Sequence, residues 1–152
     1  MTEVKFRKSF TQQEPIPAEG IAIANEIMQN GRLHRYNVES DEQSQASMLE
    51  VEFAKWQGVD YCLACTSGGY AMQLALRVCG VQLNDKVLAN AYTLAPVPGA
   101  IHNVGAEPVF VEIDENYHID TDDLINKATS SGAKYLLLSH MRGHIANMDK
   151  IK

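Results

Sequence analysis

The stretch Tyr61-Cys62-Leu63-Ala64-Cys65-Thr66-Ser67-Gly68-Gly69-Tyr70-Ala71-Met72-Gln73-Leu74-Ala75-Leu76 decides the fold. Its first five residues are mostly apolar and short enough for a buried strand. Its last residues place Met72, Ala75, Leu76 and then Cys79 on one helical face. Two glycines and a serine sit at the junction. A strand running through such a turn into a helix is the opening of a βα unit, in which the helix start exposes unpaired N–H groups and the positive end of the dipole. An anion is favoured there, glycine lets it approach the backbone, and Ser67 adds a hydroxyl donor. The residues alone fit equally a serine-capped helix whose glycines serve only close packing.

The same rhythm continues downstream. Val87 to Ala89 reads as a strand, and Ala95 to Asn103 as a helix with Pro96 and Pro98 in its first turn. Val109 to Val111 is a strand. Asp120 or Thr121 caps a helix carrying Leu124, Ile125 and Ala128, and Tyr135 to Leu138 is a continuous apolar strand. Upstream, Pro15-Ile16-Pro17 precedes a helix through Ile21, Ala24, Ile27 and Met28, closed by Asn30-Gly31. A second helix starts near Ser40-Asp41, with Ser40 and Gln43 spaced as a capping box, an apolar stripe of Leu49, Phe53 and Trp56, and Gly58 at its end. Residues 1–14 are polar and unpatterned and read as an arm, leaving 15–152 as the folded part. Strands alternating with helices predict an α/β domain, its mostly parallel sheet covered by helices on both faces. Ligands then lie beyond the carboxyl ends of the strands, at Thr66 to Tyr70, Asn90 to Leu94 and Ser139 to His144.

Bulk properties narrow the classes. Of 152 residues, 45% are hydrophobic and 21% charged, enough for one domain with a core. A net charge of -6, with dispersed basic residues, argues against a nucleic-acid partner. No apolar run reaches the ~20 residues that span a bilayer, and the first residues lack the apolar segment of a secretory signal. Three cysteines, an odd number, fit a reducing cytoplasm. Cys62 and Cys65 form a CxxC, but no second pair or histidine follows at zinc-like spacing, so they read as small core residues and no metal is expected.

Five blocks in register resemble the DegT/StrS family of pyridoxal-phosphate (PLP) sugar aminotransferases. They are Glu50 to Ala54 with Ser67 to Leu76; Asn84 to Leu88; Tyr92-Thr93-Leu94; Gly105 to Ile113; and Ser139 to His144 with Asn147-Met148-Asp149. The resemblance implies part of a fold type I large domain, a PLP cofactor, and a homodimer with its sites at the subunit interface. It implies an amino-acid donor and a keto sugar or similar ketone as acceptor. Position by position, Ser67, Gly68 and Gly69 would meet the PLP phosphate, Thr93 and Leu94 would sit against the ring, and His140 would end a central strand facing the cleft. His140 reads equally as a histidine satisfied by backbone at a strand end. Two departures stand out: Gly69 replaces the family's threonine, and Leu94 replaces the aromatic that stacks on the ring. Tyr92 could offer a ring, although a partly buried structural tyrosine fits its position better.

In the family, the aspartate that pairs with the ring nitrogen and the lysine that forms the Schiff base lie beyond the block ending near Lys152, and none of the eight lysines here matches that motif. The resemblance therefore implies a partial chain without its own catalytic residues, associated with itself or with a chain supplying the rest. Leu136 to Leu138 are expected nearest the uncovered part of the sheet. A non-catalytic phosphate-binding or interaction module of the same fold is the alternative. A small nucleotide-binding protein is disfavoured, since no Gly-x-Gly-x-x-Gly or P-loop pattern follows a strand.

Overall fold

A computed structural model describes Ser9, Thr11, residues 13–36, Val38, Glu39 and residues 43–152. Most of the expected arm, and the Ser40 cap, lie outside the described residues. The chain divides into two compact units, Met1–Ala64 and Cys65–Lys152.

In the first unit, helix α1 (Ala18–Asn30) begins after Pro17 and stops where Gly31 turns left-handed at φ 74°, its N–H donating to the Ile27 carbonyl. No α1 residue is buried. Helix α2 (Gln45–Gln57) is capped by Ser44, whose hydroxyl accepts from Ser47 N–H at 3.2 Å, several residues after the capping box expected at Ser40. Gly58 closes α2 at φ 73°.

The stripe of Leu49, Phe53 and Trp56 is not the inward face. These residues are exposed, Trp56 by 78%, and the buried residues of α2 are Glu50 and Ala54. A carboxylate goes inside here because its lone pairs are met. Arg35 donates to both Glu50 oxygens, at 2.9 and 2.6 Å, and Ala64 N–H donates to Oε1 at 2.8 Å.

That last bond corrects a second expectation. Residues 61–65 form no strand. The Ala64 N–H goes to a side chain and not to a β-ladder, and Tyr61 and Leu63 are 91% and 60% exposed. Cys62 and Cys65 are accordingly half-buried and not core residues, no cysteine is in a disulfide, and Cys79 is exposed.

The second unit holds a three-stranded parallel sheet of β1 (Lys86–Asn90), β2 (Glu107–Val111) and β3 (Tyr135–Leu137), in the order β2-β1-β3. Val87 stands beside Pro108 and Tyr135, and Ala89 beside Phe110 and Leu137. Side chains alternate across the sheet. Val87, Ala89, Tyr135 and Leu137 face helices α3 (Gly68–Val78) and α4 (Pro96–Asn103), in a cluster with Leu76, Val97, Ala100, Ile101 and Val104. Leu88, Val109, Val111, Leu136 and Leu138 face the other way, packing with Leu124 and Ala128 of α5 (Thr121–Ser131), with Ala146, and with Ile151 of the short α6 (Met148–Ile151). Leu136 to Leu138 thus join the two cores and are half-buried, with β3 at an edge of the three-stranded sheet. Phe110, on edge strand β2, is 44% exposed.

Local chemistry sets the element ends. Pro96 occupies the first turn of α4, where its missing N–H costs nothing. Asp120 caps α5 by accepting from Asp122 and Asp123 N–H at 2.9 and 3.0 Å. Between α4 and β2 the chain reverses at Gly105, φ 85°, whose carbonyl accepts from Asn84 N–H at 2.7 Å.

Candidate functional site

All six candidate residues fall in the second unit, at the carboxyl end of the sheet or at the start of a helix packed on it. Ser67 is the N-cap of α3: extended at φ -160°, ψ 155°, it accepts from Tyr70 N–H at 3.1 Å while its carbonyl takes Ala71 N–H at 3.0 Å. The N–H groups of Gly68 and Gly69 have no intrahelical acceptor, as helix geometry requires of a first turn. A Cβ built on Gly68 would meet nothing within 4 Å, so the space before this helix end is open. On Gly69 it would lie 3.8 Å from the Pro96 Cβ, which sets the starts of α3 and α4 side by side. The capping bond and an anion-binding role are compatible, because the Ser67 oxygen accepts from Tyr70 while its proton stays available to donate.

The loop after β1 carries Tyr92 and Thr93. The Tyr92 ring lies against Tyr117, centroids 5.1 Å apart and tilted 43°, a packed and half-buried position. Tyr117 holds a left-handed φ of 65° at the end of the Asp114 to His118 turn, where Asp114 accepts from the N–H groups of His118 and Asn116. These bonds, His118 first, keep the Asp114 carboxyl below the usual carboxylate range. Thr93 Oγ1 lies 2.6 Å from Ser139 Oγ, which joins the loop after β1 to the end of β3. Leu94 is 61% exposed.

His140 follows β3, which lies at an edge of the three-stranded sheet formed by the described residues. Its ring is exposed and its Nδ1 accepts from Ala146 N–H at 3.3 Å, the backbone-satisfied arrangement. The other ring nitrogen remains available. A short 3-10 turn, Met141–Gly143, follows, with Arg142 left-handed at φ 53°.

The structure therefore brings Thr93 next to Ser139, the residue before His140, and sets Gly69 beside the start of α4. Asn90 and Ser139, which the sequence placed only as the first residues of two ligand-side segments and not as individual candidates, complete this arrangement. Asn90, the last residue of β1, is fully buried, and its amide spans to the Ser139 backbone. The available signal was a polar residue directly ending the apolar run Val87-Leu88-Ala89.

Concavities among the described residues lie elsewhere. One of about 420 Å³ is lined by Ile23, Ile27, Arg32, Leu33 and Arg35 among others, and one of about 290 Å³ by Asp114, His118, Asp120, Asn147 and Lys150 among others. Neither contains a candidate residue, since within these residues the helix end at Ser67 is an open surface. Among the described residues no cluster of metal-ligating side chains occurs, and no helix is long and apolar enough to cross a membrane.

A parallel α/β unit with a Ser-Gly-Gly helix start and polar loops at the strand ends defines a class, and sequence comparison defines the family within it. Residues 16–152 match the DegT/DnrJ/EryC1/StrS aminotransferase family, and the chain belongs to that family. It is 36% identical over 105 residues to dTDP-3-amino-3,4,6-trideoxy-alpha-D-glucose transaminase of Micromonospora megalomicea subsp. nigra, covering 68% of this chain and 28% of that protein. Among solved structures, S. venezuelae DesV superposes with a TM-score of 0.67 at 31% identity, over 88% of this chain and 35% of that one. The aminotransferase from Psychrobacter cryohalolentis superposes with a TM-score of 0.78 at 22% identity, over 94% of this chain and 35% of that one, a likeness of fold. The fold is that of part of a fold type I aminotransferase, and the chain spans about a third of the length of the proteins it matches.

Proposed function

We propose that these residues form the cofactor-phosphate side of a PLP site in an aminotransferase that moves an amino group from an amino acid to a keto sugar or a similar ketone. Family membership supports the activity, and the relative from Micromonospora supports the sugar. The observation that carries the local assignment is the α3 start. There, two glycine N–H groups without an intrahelical acceptor stand beside the Ser67 hydroxyl, and a Cβ at position 68 would meet nothing within 4 Å. That donor set fits a phosphate monoester, with backbone N–H groups making up for the hydroxyl that Gly69 lacks.

When bound, PLP supplies an electron sink for the bond changes at the amino carbon. In this reading Ser67, Gly68 and Gly69 anchor its phosphate, and Thr93 and His140 line the side of its ring. Tyr92 serves by packing on Tyr117, not by stacking on the cofactor. Association with a second copy, or with a chain that completes the site, belongs to the same reading.

The lysines support a division of labour. Lys86 begins β1, at the end of the strand opposite the carboxyl edge, and Lys127 is bonded to Asp123 at 2.8 Å. Lys134 precedes β3, and Lys150 lines the 290 Å³ hollow away from Ser67. Borohydride reduction with PLP followed by mass mapping is therefore expected to find no stoichiometrically labelled lysine, and the purified 152 residues to show no turnover with glutamate. One fully labelled lysine with transamination would overturn this assignment. For the phosphate anchor, calorimetric titration is expected to show PLP binding more tightly than pyridoxal, with the difference shrinking in Ser67→Ala. Equal affinity for the two in the parent chain would remove the phosphate site.

A further inference from the structure

Asn90 has no solvent exposure, yet it is a polar residue among Val87, Leu88 and Ala89. Burying a carboxamide is tolerated only where its donors and acceptor are met. Here both ends go to one neighbour. Nδ2 donates to the Ser139 carbonyl at 2.8 Å, and Ser139 N–H donates to Oδ1 at 2.9 Å; the Tyr92 carbonyl lies 3.4 Å from Nδ2. Only one orientation of the amide satisfies both Ser139 groups, which fixes its assignment.

This pair prolongs the β1–β3 ladder past Ala89 and Leu137 with a side chain in place of a peptide. The substitution has a consequence. The backbone after β1 stays with β2, through Ala91 N–H to the Val111 carbonyl at 2.8 Å, while the Asn90 side chain holds the segment after β3. In the order β2-β1-β3 the junction of β1 and β3 at the carboxyl edge is the switch point, the place where parallel sheets of this order bind ligands. Across it the Thr93 and Ser139 hydroxyls meet at 2.6 Å, with His140 next in sequence. In such a pair one hydroxyl donates to the other, and the second keeps a proton for a ligand.

We propose that Asn90 is the positioning residue for the ring end of the cofactor, setting the separation of Thr93 and Ser139 so that this hydroxyl pair meets the polar edge of the pyridine ring. The proposal rests on the PLP reading above. It adds Ser139 as a ligand-facing residue and makes Asn90 act through it.

The test is a comparison of PLP with inorganic phosphate, titrated calorimetrically into the full chain. Asn90→Asp keeps the shape but sets a second carboxylate oxygen against the Ser139 and Tyr92 carbonyls. Ser139→Ala removes one hydroxyl and leaves both Asn90 bonds to the backbone in place. PLP affinity is expected to fall about tenfold or more in Asn90→Asp, with inorganic phosphate unaffected. Ser139→Ala should reproduce part of that loss, and the double variant should lose no more than Asn90→Asp alone. A purely structural role would instead weaken both ligands alike. If Asn90→Asp does not fold, Ser139→Ala and Thr93→Val carry the test, each expected to weaken PLP and not phosphate. Unchanged PLP affinity in the folded variants, equal losses for both ligands, or additive losses would overturn the proposal. A parent chain that binds phosphate but PLP no more tightly also overturns it, leaving the Ser67 turn intact. Binding of neither ligand overturns the PLP reading itself.

Discussion

At Glu50, Asp114 and Asp123 the local hydrogen bonds turn into a pH dependence. Arg35 and then Ala64 N–H lower the Glu50 pKa, and Glu112 N–H and then Lys127 lower that of Asp123. A carboxyl whose folded pKa lies below its unfolded value binds fewer protons when folded. Its stabilisation is full above the unfolded value of about 4 and is lost as pH falls through the folded one. The stability difference between the parent and Glu50→Gln, read from urea unfolding, is therefore expected to be constant above about pH 5 and to shrink on acidification. A difference that grows as pH falls would contradict the assignment. Gly105 gives a backbone counterpart. Its φ of 85° strains any L side chain, and a Cβ there would sit 2.8 Å from the Leu83 Cδ1, a flexible end that can move aside. Backbone strain then dominates, and Gly105→Ala should cost about 1 kcal/mol or somewhat more in the same assay.

At the scale of the element, the helix starts carry the most weight. Asp120 satisfies two first-turn N–H groups of α5, and α5 covers Leu88 and Val111 from one side. Asp120→Ala is expected to destabilise by about 1 kcal/mol and to leave phosphate affinity unchanged. Ser67→Ala removes an equivalent cap from α3, so a similar loss of stability should appear, accompanied by weaker PLP binding. The contrast between two caps of the same kind separates capping from ligand contact. Equal ligand effects from both substitutions would argue that only folding had been perturbed.

At the scale of the whole molecule, the exposed apolar side chains among the described residues are large and numerous. Phe53 and Trp56 pair at 5.5 Å on α2, Tyr61 is almost fully exposed, and Phe110 is partly exposed on an edge strand. Single exposed apolar residues are ordinary in monomers, but aromatic pairs and open strand edges favour association. Sedimentation velocity over a wide concentration range is expected to show species larger than a monomer. A monodisperse monomer that unfolds cooperatively would count against that expectation.

Sequence alone was enough for the parallel α/β pattern of the second unit. Val87 to Ala89, Val109 to Val111 and Tyr135 to Leu137 are apolar on both faces, and Gly31, Pro96 and Asp120 mark element ends by local backbone chemistry, which needs no distant partner. The Ser67-Gly68-Gly69 turn was legible for the same reason. Residues 61–65 were not, because a strand exists only by pairing, and the Ala64 N–H is taken by a carboxylate fourteen residues away in sequence. Nor was the inward face of α2, since the partner that makes Glu50 acceptable inside, Arg35, is remote along the chain. The join of Asn90 and Thr93 to Ser139 spans more than forty residues. Only the side-by-side placement of β1 and β3 brings those groups within bonding distance, so only the tertiary structure could disclose it.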